Sequence, residues 1–325
     1  MPAHVGIQWD TKVAAIQCPR GDIDLHFSTE SGHIFNPLFD PERTEYSETY
    51  DNSLHHSPRF QAYTEEVVGR LVNTYDLRGK HVTEIGCGKG DFLIMLAEAG
   101  GNTGTGYDPS YEPRQLPASV ADQVQFVQTF FSDTQALEGT DLICSRYVLE
   151  HIAEPVPFLN MVRRSIGEDR DTIVYFEVPN VELILDQLSV WDVIYEHCGY
   201  FSTTSLTDVF VRCGFEVLDV VRGYDDQFIG IEAVVTPRNT QASASAWREV
   251  ETLKTQVDAW SENFERTMET WREHLQRMEA KGQTGVLWGA GAKAGGFLNM
   301  LEIGSDQIGA VVDINPNKQG KYIAG

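Results

Sequence analysis

Val82-Thr83-Glu84-Ile85-Gly86-Cys87-Gly88-Lys89-Gly90-Asp91 is the stretch on which the fold turns. Its apolar start reads as a buried strand that runs into a glycine-rich turn. Phe92-Leu93-Ile94-Met95-Leu96-Ala97 then reads as the following helix. Glycines at alternate positions let a ligand lie against bare backbone, where any Cβ would clash. The start of the helix offers unpaired N–H groups to whatever sits there. The spacing is Glu-x-Gly-x-Gly-x-Gly, whereas a dinucleotide fold would show G-x-G-x-x-G.

A second acidic residue follows at the distance such a fold requires. Gly104-Thr105-Gly106-Tyr107-Asp108 is a short strand that ends in a carboxylate roughly twenty residues past the glycine turn. At the tip of the second strand of a nucleotide-binding sheet, a carboxylate can accept both hydroxyls of a ribose.

The chain has 325 residues, of which 42% are hydrophobic, enough for one α/β domain with smaller lobes. Cys18, Cys87, Cys144, Cys198 and Cys213 are scattered with no C-x-x-C pair. That argues against a disulfide framework or a zinc ribbon and fits a reducing compartment. Met1–Gly6 carries no apolar signal region, and no apolar run approaches a membrane span, so a cytoplasmic protein is expected. The formal net charge of −23, with no basic stripe, disfavours nucleic acid and membrane surfaces as partners and leaves a small-molecule substrate.

Helical spacing appears from Phe60 to Tyr75, at Val67, Val68, Leu71 and Val72. Strands are then expected at His81–Ile85, Gly104–Tyr107, Val124–Phe130, Asp141–Ser145 and Thr172–Val178. Helical patterns such as Phe92–Ala99 and Pro157–Ile166 lie between them. This alternation signals a parallel sheet covered on both faces. Phe215–Val221 and Phe228–Val235 are late strands that could form an antiparallel edge. A small, polar stretch around Pro237–Ala246 reads as a linker. From there to about Lys281, Val250, Leu253, Val257, Trp260, Phe264, Met268, Trp271, Leu275 and Met278 form one apolar stripe. That stripe must bury against another part of the chain or a second subunit, as in a homodimer, and its tryptophans read as core. Gly285–Gly296 begins a second strand–turn–helix, with Ile308–Asp313 as its next strand.

The glycine run resembles motif I of class I S-adenosylmethionine (SAM) methyltransferases, and longer segments narrow the resemblance. Gly32-His33-Ile34-Phe35-Asn36-Pro37 through Tyr46 and Tyr50, Ser145–Ile152, Glu177-Val178-Pro179-Asn180 with Asp192–Phe201, and Trp288–Lys293 with Asp313–Gly320 are similar to the sugar C-methyltransferases. These enzymes methylate nucleotide-linked keto sugars and related natural products. The resemblance implies an α/β, Rossmann-like class I methyltransferase sheet with SAM as cofactor. It implies a division into an N-terminal arm or lid (1–59), a SAM-binding methyltransferase domain (60–237), a linker with a long amphipathic helix (238–281) and part of a second Rossmann-like lobe (282–325). The implied SAM contacts are Glu84, Gly86, Cys87, Gly88, Gly90, Asp108, Pro109, Phe131, Ser145 and Tyr50, with adenine against Phe130 or Phe131. Tyr46 and Tyr50 would close over the site.

For catalysis the resemblance singles out Glu196 and His197, with Tyr195 and Tyr200 beside them. A carbon beside a ketone becomes nucleophilic only when a base takes its proton. An imidazole suits that task near neutrality, and a carboxylate can orient it or share the work. His151 has the same chemistry.

The chain also departs from the family. Tyr195 abuts Glu196 with no intervening His, Tyr224-Asp225-Asp226-Gln227-Phe228 replaces a His-Gly-Gly-Ser-type run, and Cys18 stands where many members have four zinc-binding cysteines. No metal ligand set is read from the sequence. These departures point to a divergent branch with its own acceptor. Methylation of oxygen or nitrogen in a related metabolite, or a non-catalytic SAM- or nucleotide-binding protein, are the competing readings. An NAD-dependent oxidoreductase built on Gly289–Gly296 fails on spacing.

Overall fold

The computed structural model describes residues 1–44, 56–135, 137, 139–167, 171–236 and 244–325, the first four of the last range by backbone alone. Tyr46 and Tyr50 lie outside the described residues.

Seven strands form the central sheet: β1 (His81–Ile85), β2 (Thr103–Tyr107), β3 (Val124–Val127), β4 (Leu142–Arg146), β5 (Ile173–Pro179), β6 (Phe215–Gly223) and β7 (Phe228–Val235). Their spatial order is β6-β7-β5-β4-β1-β2-β3, and only β7 runs antiparallel to both of its neighbours. The composition explains this placement. Phe228–Ala233 are all buried, as an interior strand requires, whereas edge strand β6 is largely exposed along its middle. The strand order reverses beside β1, which pairs with β2 on one side and β4 on the other. In open α/β sheets, ligands bind at the carboxyl ends of the strands flanking such a reversal.

The helices that cover the sheet are α1 (Pro58–Thr74), α2 (Asp91–Gly100), α3 (Pro155–Ile166), α4 (Val181–Asp186) and α5 (Thr203–Arg212). Ser57 caps α1 through Phe60 N–H, with Pro58 in its first turn, and a Ser202/Ser205 capping box starts α5. One face of the sheet buries Ile143, Val174 and Phe176 with Leu159, Phe210 and Phe215. The other buries Val82, Leu142 and Tyr175 with Leu71, Leu93 and Leu96.

The long helix α6 (Ala244–Ala280) straps two parts of the chain together. Leu253 packs with Ile34, Leu185 and Tyr200, and Met268 and Leu275 pack with Phe297 and Leu301. Each fully buried Leu or Met contributes about 1.5–3 kcal/mol, so much of the stripe finds its partners within the chain, while Trp271 stays 38% exposed. The C-terminal lobe is a parallel pair, β8 (Gly285–Trp288) and β9 (Ile308–Val312), joined through α7 (Ala292–Met300).

The described part of the N-terminal arm is tied into the fold. Gln8–Trp9 pairs with Tyr322–Ile323, and Ile34–Phe35 bridges His26–Phe27 and Gly199–Tyr200. No helix among the described residues is long and apolar enough to cross a membrane.

Candidate functional site

A cavity of about 1180 Å³ lies over the carboxyl ends of the strands and runs to the C-terminal lobe. Glu84, Gly86, Cys87 and Gly88 reach it from the end of β1, Asp108 and Pro109 from the end of β2, and Phe130 and Phe131 from the loop after β3. The strand β3 stops three residues earlier than its apolar run predicts, which leaves Phe130 67% exposed while Phe131 is buried.

The three glycines of the turn have different reasons to be glycine. All adopt positive φ. A Cβ at Gly86 would stand 2.2 Å from Val148 Cγ2, and one at Gly90 would stand 2.3 Å from the Phe126 ring. Only at Gly88 would it meet nothing within 4 Å. Bare backbone therefore faces the cavity at Gly88, while Gly86 and Gly90 allow close internal packing. Gly90 and Ser145 do not line the cavity. Ser145 is buried, and its hydroxyl has no partner among the described residues.

Asp108 braces the turn. Its Oδ2 accepts from Gly88 N–H at 2.8 Å, and its Oδ1 accepts from Ser110 N–H at 2.7 Å and Ser110 Oγ at 2.6 Å. A carboxylate has about four acceptor positions, so one remains for a ligand hydroxyl unless the Ser110 hydroxyl turns away. Glu84 is buried, and its Oε2 has no hydrogen-bond partner among the described residues. Burial pushes its pKa up to about 8; Arg146 opposes that rise, while Asp108 and Asp91 add to it. A buried carboxylate with one unpaired oxygen on a cavity wall calls for a cationic group in the cavity. With the open backbone at Gly88, this donor set fits a ligand that carries an ammonium group and a ribose.

Beneath the cavity sits a buried ion pair that sequence reasoning missed. Arg146 donates to Glu177 Oε1 through Nε at 3.2 Å and Nη2 at 2.8 Å. The hydroxyls of Tyr63 and Tyr175 both donate to Glu177 Oε2. Burial favours neutral Glu177, but Arg146 and hydrogen bonds from the Tyr147 and Tyr175 hydroxyls outweigh it and hold the carboxyl below its ordinary pKa. Removing either partner of such a pair costs far more than the pair contributes. The available signal was a charge in each of two otherwise apolar strands.

On the same wall, Glu150 and His151 follow β4, and His197 comes from the loop after α4. The His151 and His197 rings meet edge to face with centroids 4.9 Å apart. Burial, then the neighbouring His151, lowers His197 to about 3, and burial raises Glu150 to about 8. His151 Nδ1 lies 2.9 Å from the Glu196 carbonyl.

Tyr195, Glu196 and Tyr200 do not line the cavity. The Tyr195 hydroxyl accepts from Asp40 N–H at 2.8 Å, and its ring occupies the space a Cβ on Gly21 would need. The Tyr200 hydroxyl accepts from Ile194 N–H and donates to Ile194 O. The Glu196 carboxylate accepts from Val5 N–H at 3.2 Å and lies 3.7 Å from His4 Nδ1. Burial would raise its pKa, but His4, His151 and His197 together bring it to about 2. Of the four residues singled out for catalysis, His197 is the one that lines the cavity, while the polar atoms of the other three hold backbone and the N-terminal segment. Trp271 and Trp288 were read as core and as part of a strand, yet both line the cavity from the far side, and Trp288 is 80% exposed.

A parallel sheet with a reversal beside β1, a glycine turn and two strand-end carboxylates define the nucleotide-type α/β class. Residues 55–220, just over half of the chain, match the family model described as a methyltransferase domain, and 237–325 match the C-methyltransferase C-terminal domain. The chain belongs to the class I SAM-dependent methyltransferase family, whose cofactor is SAM. It is similar to the C-methyltransferase NovU of Streptomyces niveus, with 26% identity over 264 residues, covering 76% of this chain and 61% of the relative. It is also similar to the tRNA U34 carboxymethyltransferase of Alteromonas mediterranea, with 25% identity over 212 residues, 59% of this chain and 58% of the relative. The chain thus spans about three-fifths of the length of these curated relatives. Among solved structures it resembles the magnesium protoporphyrin IX methyltransferase of Synechocystis PCC 6803 with bound SAH, at 18% identity over 55% of this chain and 84% of that one, with a TM-score of 0.41.

Proposed function

We propose that this chain transfers the methyl group of SAM to a small-molecule acceptor, a sugar-nucleotide or natural-product intermediate, and that His197 assists deprotonation of the acceptor. The observation that carries the reading is the single cavity that joins Gly88 and Asp108 to the His151–His197 pair. Donor and acceptor fit in one space.

In this reading Glu84 faces the donor's ammonium group and Asp108 its ribose. Cys87, Gly86 and Gly88 lie along it, and Pro109 and Phe131 flank its adenine. When bound, the donor supplies an electrophilic methyl on a cationic sulfur, displaced in line by the acceptor. The protein contributes alignment and exclusion of water. Burial keeps the His197 imidazole neutral with its lone pair available; the same burial resists the imidazolium, and the nearby Glu196 carboxylate offsets part of that cost. Glu196 acts as a positioning residue, since its carbonyl holds His151 and its carboxylate anchors Val5. The net charge of −23 supports a metabolite over a nucleic acid, and the likeness to the C-methyltransferase NovU supports a carbon acceptor.

The test is mass spectrometry of nucleotide-linked keto sugars and their hydroxyl analogues after incubation with the protein and SAM. A gain of one methyl on a keto sugar is expected. His197→Ala should lower single-turnover rate by about 10²–10⁴-fold with SAM affinity unchanged. An unchanged rate per folded molecule, or methylation of tRNA in place of the sugars, would refute the reading.

A further inference from the structure

After β4 the chain makes one turn of 3₁₀ helix, Leu149–His151, which sets Glu150 and His151 side by side on the cavity wall. His197 joins them from a segment about 45 residues later in the chain. One carboxylate oxygen of Glu150, one ring nitrogen of His151 and one of His197 all lie within 4.8 Å of one another. In a tetrahedral or facial arrangement, ligand atoms about 2.1 Å from a common ion stand roughly 3.0–3.4 Å apart. The widest pair of the trio therefore needs to close by roughly 1.5 Å, within the reach of side-chain rotation, to share one ion.

Two independent observations point to a ligand there. Glu150 is 2% exposed, and its Oε2 is buried with no hydrogen-bond partner among the described residues. A buried carboxylate oxygen in that position is costly unless something positive completes it. Secondly, the Glu196 carbonyl can only accept, so His151 Nδ1 must carry the proton in their 2.9 Å contact. Nε2 of that ring is then the lone-pair nitrogen. This second hydrogen bond from the far side of the ring is how metal-ligating imidazoles are oriented.

We propose that Glu150, His151 and His197 hold a divalent transition-metal ion whose remaining coordination positions face the cavity and take an oxygen of the acceptor. Two imidazoles and one carboxylate suit manganese, iron, cobalt or zinc better than magnesium or calcium, which prefer all-oxygen shells. Three protein ligands leave open positions. The ion acts as a Lewis acid: it carries the negative charge that develops on the coordinated oxygen as a proton leaves for solvent. No electron transfer is involved. Binding of the ion does not depend on the identity of the acceptor, while its part in catalysis rests on the methyl-transfer reading above. It gives His197 a role as ligand in place of proton acceptor.

The full chain, stripped with a chelator and desalted, is titrated with Co²⁺ by visible absorption and with Mn²⁺ by the EPR signal of the free ion. One saturable equivalent is expected, with a rise in melting temperature on loading. Glu150→Gln and His197→Gln should each weaken binding at least about tenfold. His26→Gln, which removes the exposed His26–Asp24 pair, should leave it unchanged. SAM calorimetry on each variant reports whether it is folded, and should one fail to fold, the cobalt spectrum of the wild-type chain still decides whether imidazole nitrogen ligates the ion. Absence of stoichiometric binding, or equal binding in Glu150→Gln and His197→Gln, overturns the proposal. Turnover that survives chelation but is lost in His197→Ala would also overturn it, and would leave the proton-acceptor reading standing.

Discussion

The molecule builds the same backbone device twice. In the first copy, Gly86-Cys87-Gly88 follows β1, and Asp108 at the end of β2 accepts from Gly88 N–H at 2.8 Å. In the second, Gly289-Ala290-Gly291 follows β8, and Asp313 after β9 accepts from Ala290 N–H at 2.6 Å. Both turns line the same cavity. Their surroundings separate them. The first sits on a seven-stranded sheet with the buried carboxylate of Glu84 behind it. The second sits on a two-stranded sheet, where Lys318 Nζ donates to Ala290 O at 3.0 Å and Lys293 pairs with Asp192 at 3.0 Å. Carboxylates frame the first turn, whereas lysines and carboxylates balance each other around the second. The turn brings backbone close to a ligand, and the charge around it decides which ligand is welcome.

Parallel substitutions offer the strongest way to break this comparison. Asp108→Ala removes both the brace on Gly88 and the acceptor proposed for the ribose. SAM affinity should fall by about 1.5–3 kcal/mol, roughly tenfold to 150-fold in calorimetry. Asp313→Ala should leave SAM affinity within about twofold, given that hydrogen bonds far from the ligand do not enter its binding energy. Equal losses in the two variants would mean that both turns serve the donor.

The first copy was legible in the sequence because its signals are local. Strand period, glycine spacing and the strand-end position of Asp108 can all be counted along the chain. The second copy was legible as a turn for the same reason. What surrounds each turn was not, because side-chain direction in a loop has no period. Tyr195, Glu196, His197 and Tyr200 are near neighbours in sequence, yet only His197 reaches the cavity. Glu196 is instead held by Val5, 191 residues away. The Arg146–Glu177 pair and its tyrosines draw on three separate stretches, and the contact from Tyr63 to Glu177 spans 114 residues. The placement of β7 between β5 and β6 likewise depends on pairing that no single strand encodes.

The charge difference between the turns sharpens into a pH experiment. In the empty site burial holds Glu84 protonated up to about pH 8. A donor ammonium needs the carboxylate form, whose fraction falls tenfold for each unit below that value. Wild-type SAM affinity relative to Glu84→Gln should therefore rise with pH, by about tenfold per unit (1.4 kcal/mol), and level off above about 8. Taking the ratio to the variant cancels titration of SAM itself. The sign for stability is opposite. A carboxyl raised above its unfolded value stabilises the empty protein most at low pH, and that contribution fades as pH climbs towards 8. A flat affinity ratio would show that Glu84 does not meet a cation.

The smallest expected effect separates the two turns by backbone alone. Gly88 has φ +52, and a Cβ there would meet nothing within 4 Å. Gly88→Ala should cost about 1 kcal/mol or somewhat more, because a side chain is disfavoured in the left-handed region. Its methyl would also project into the space assigned to the donor. Gly291 is likewise open, but its φ is −92 and its ψ −171, extended backbone that any residue adopts. Gly291→Ala should therefore leave both denaturant midpoint and SAM affinity unchanged. In Gly88→Ala, SAM affinity should fall by about fivefold beyond the stability loss, the equivalent of about 1 kcal/mol. If the two alanines behave alike, the left-handed turn at Gly88 is not what the donor reads. The charges of Glu84 and Asp108 would then have to account for the whole difference between the turns.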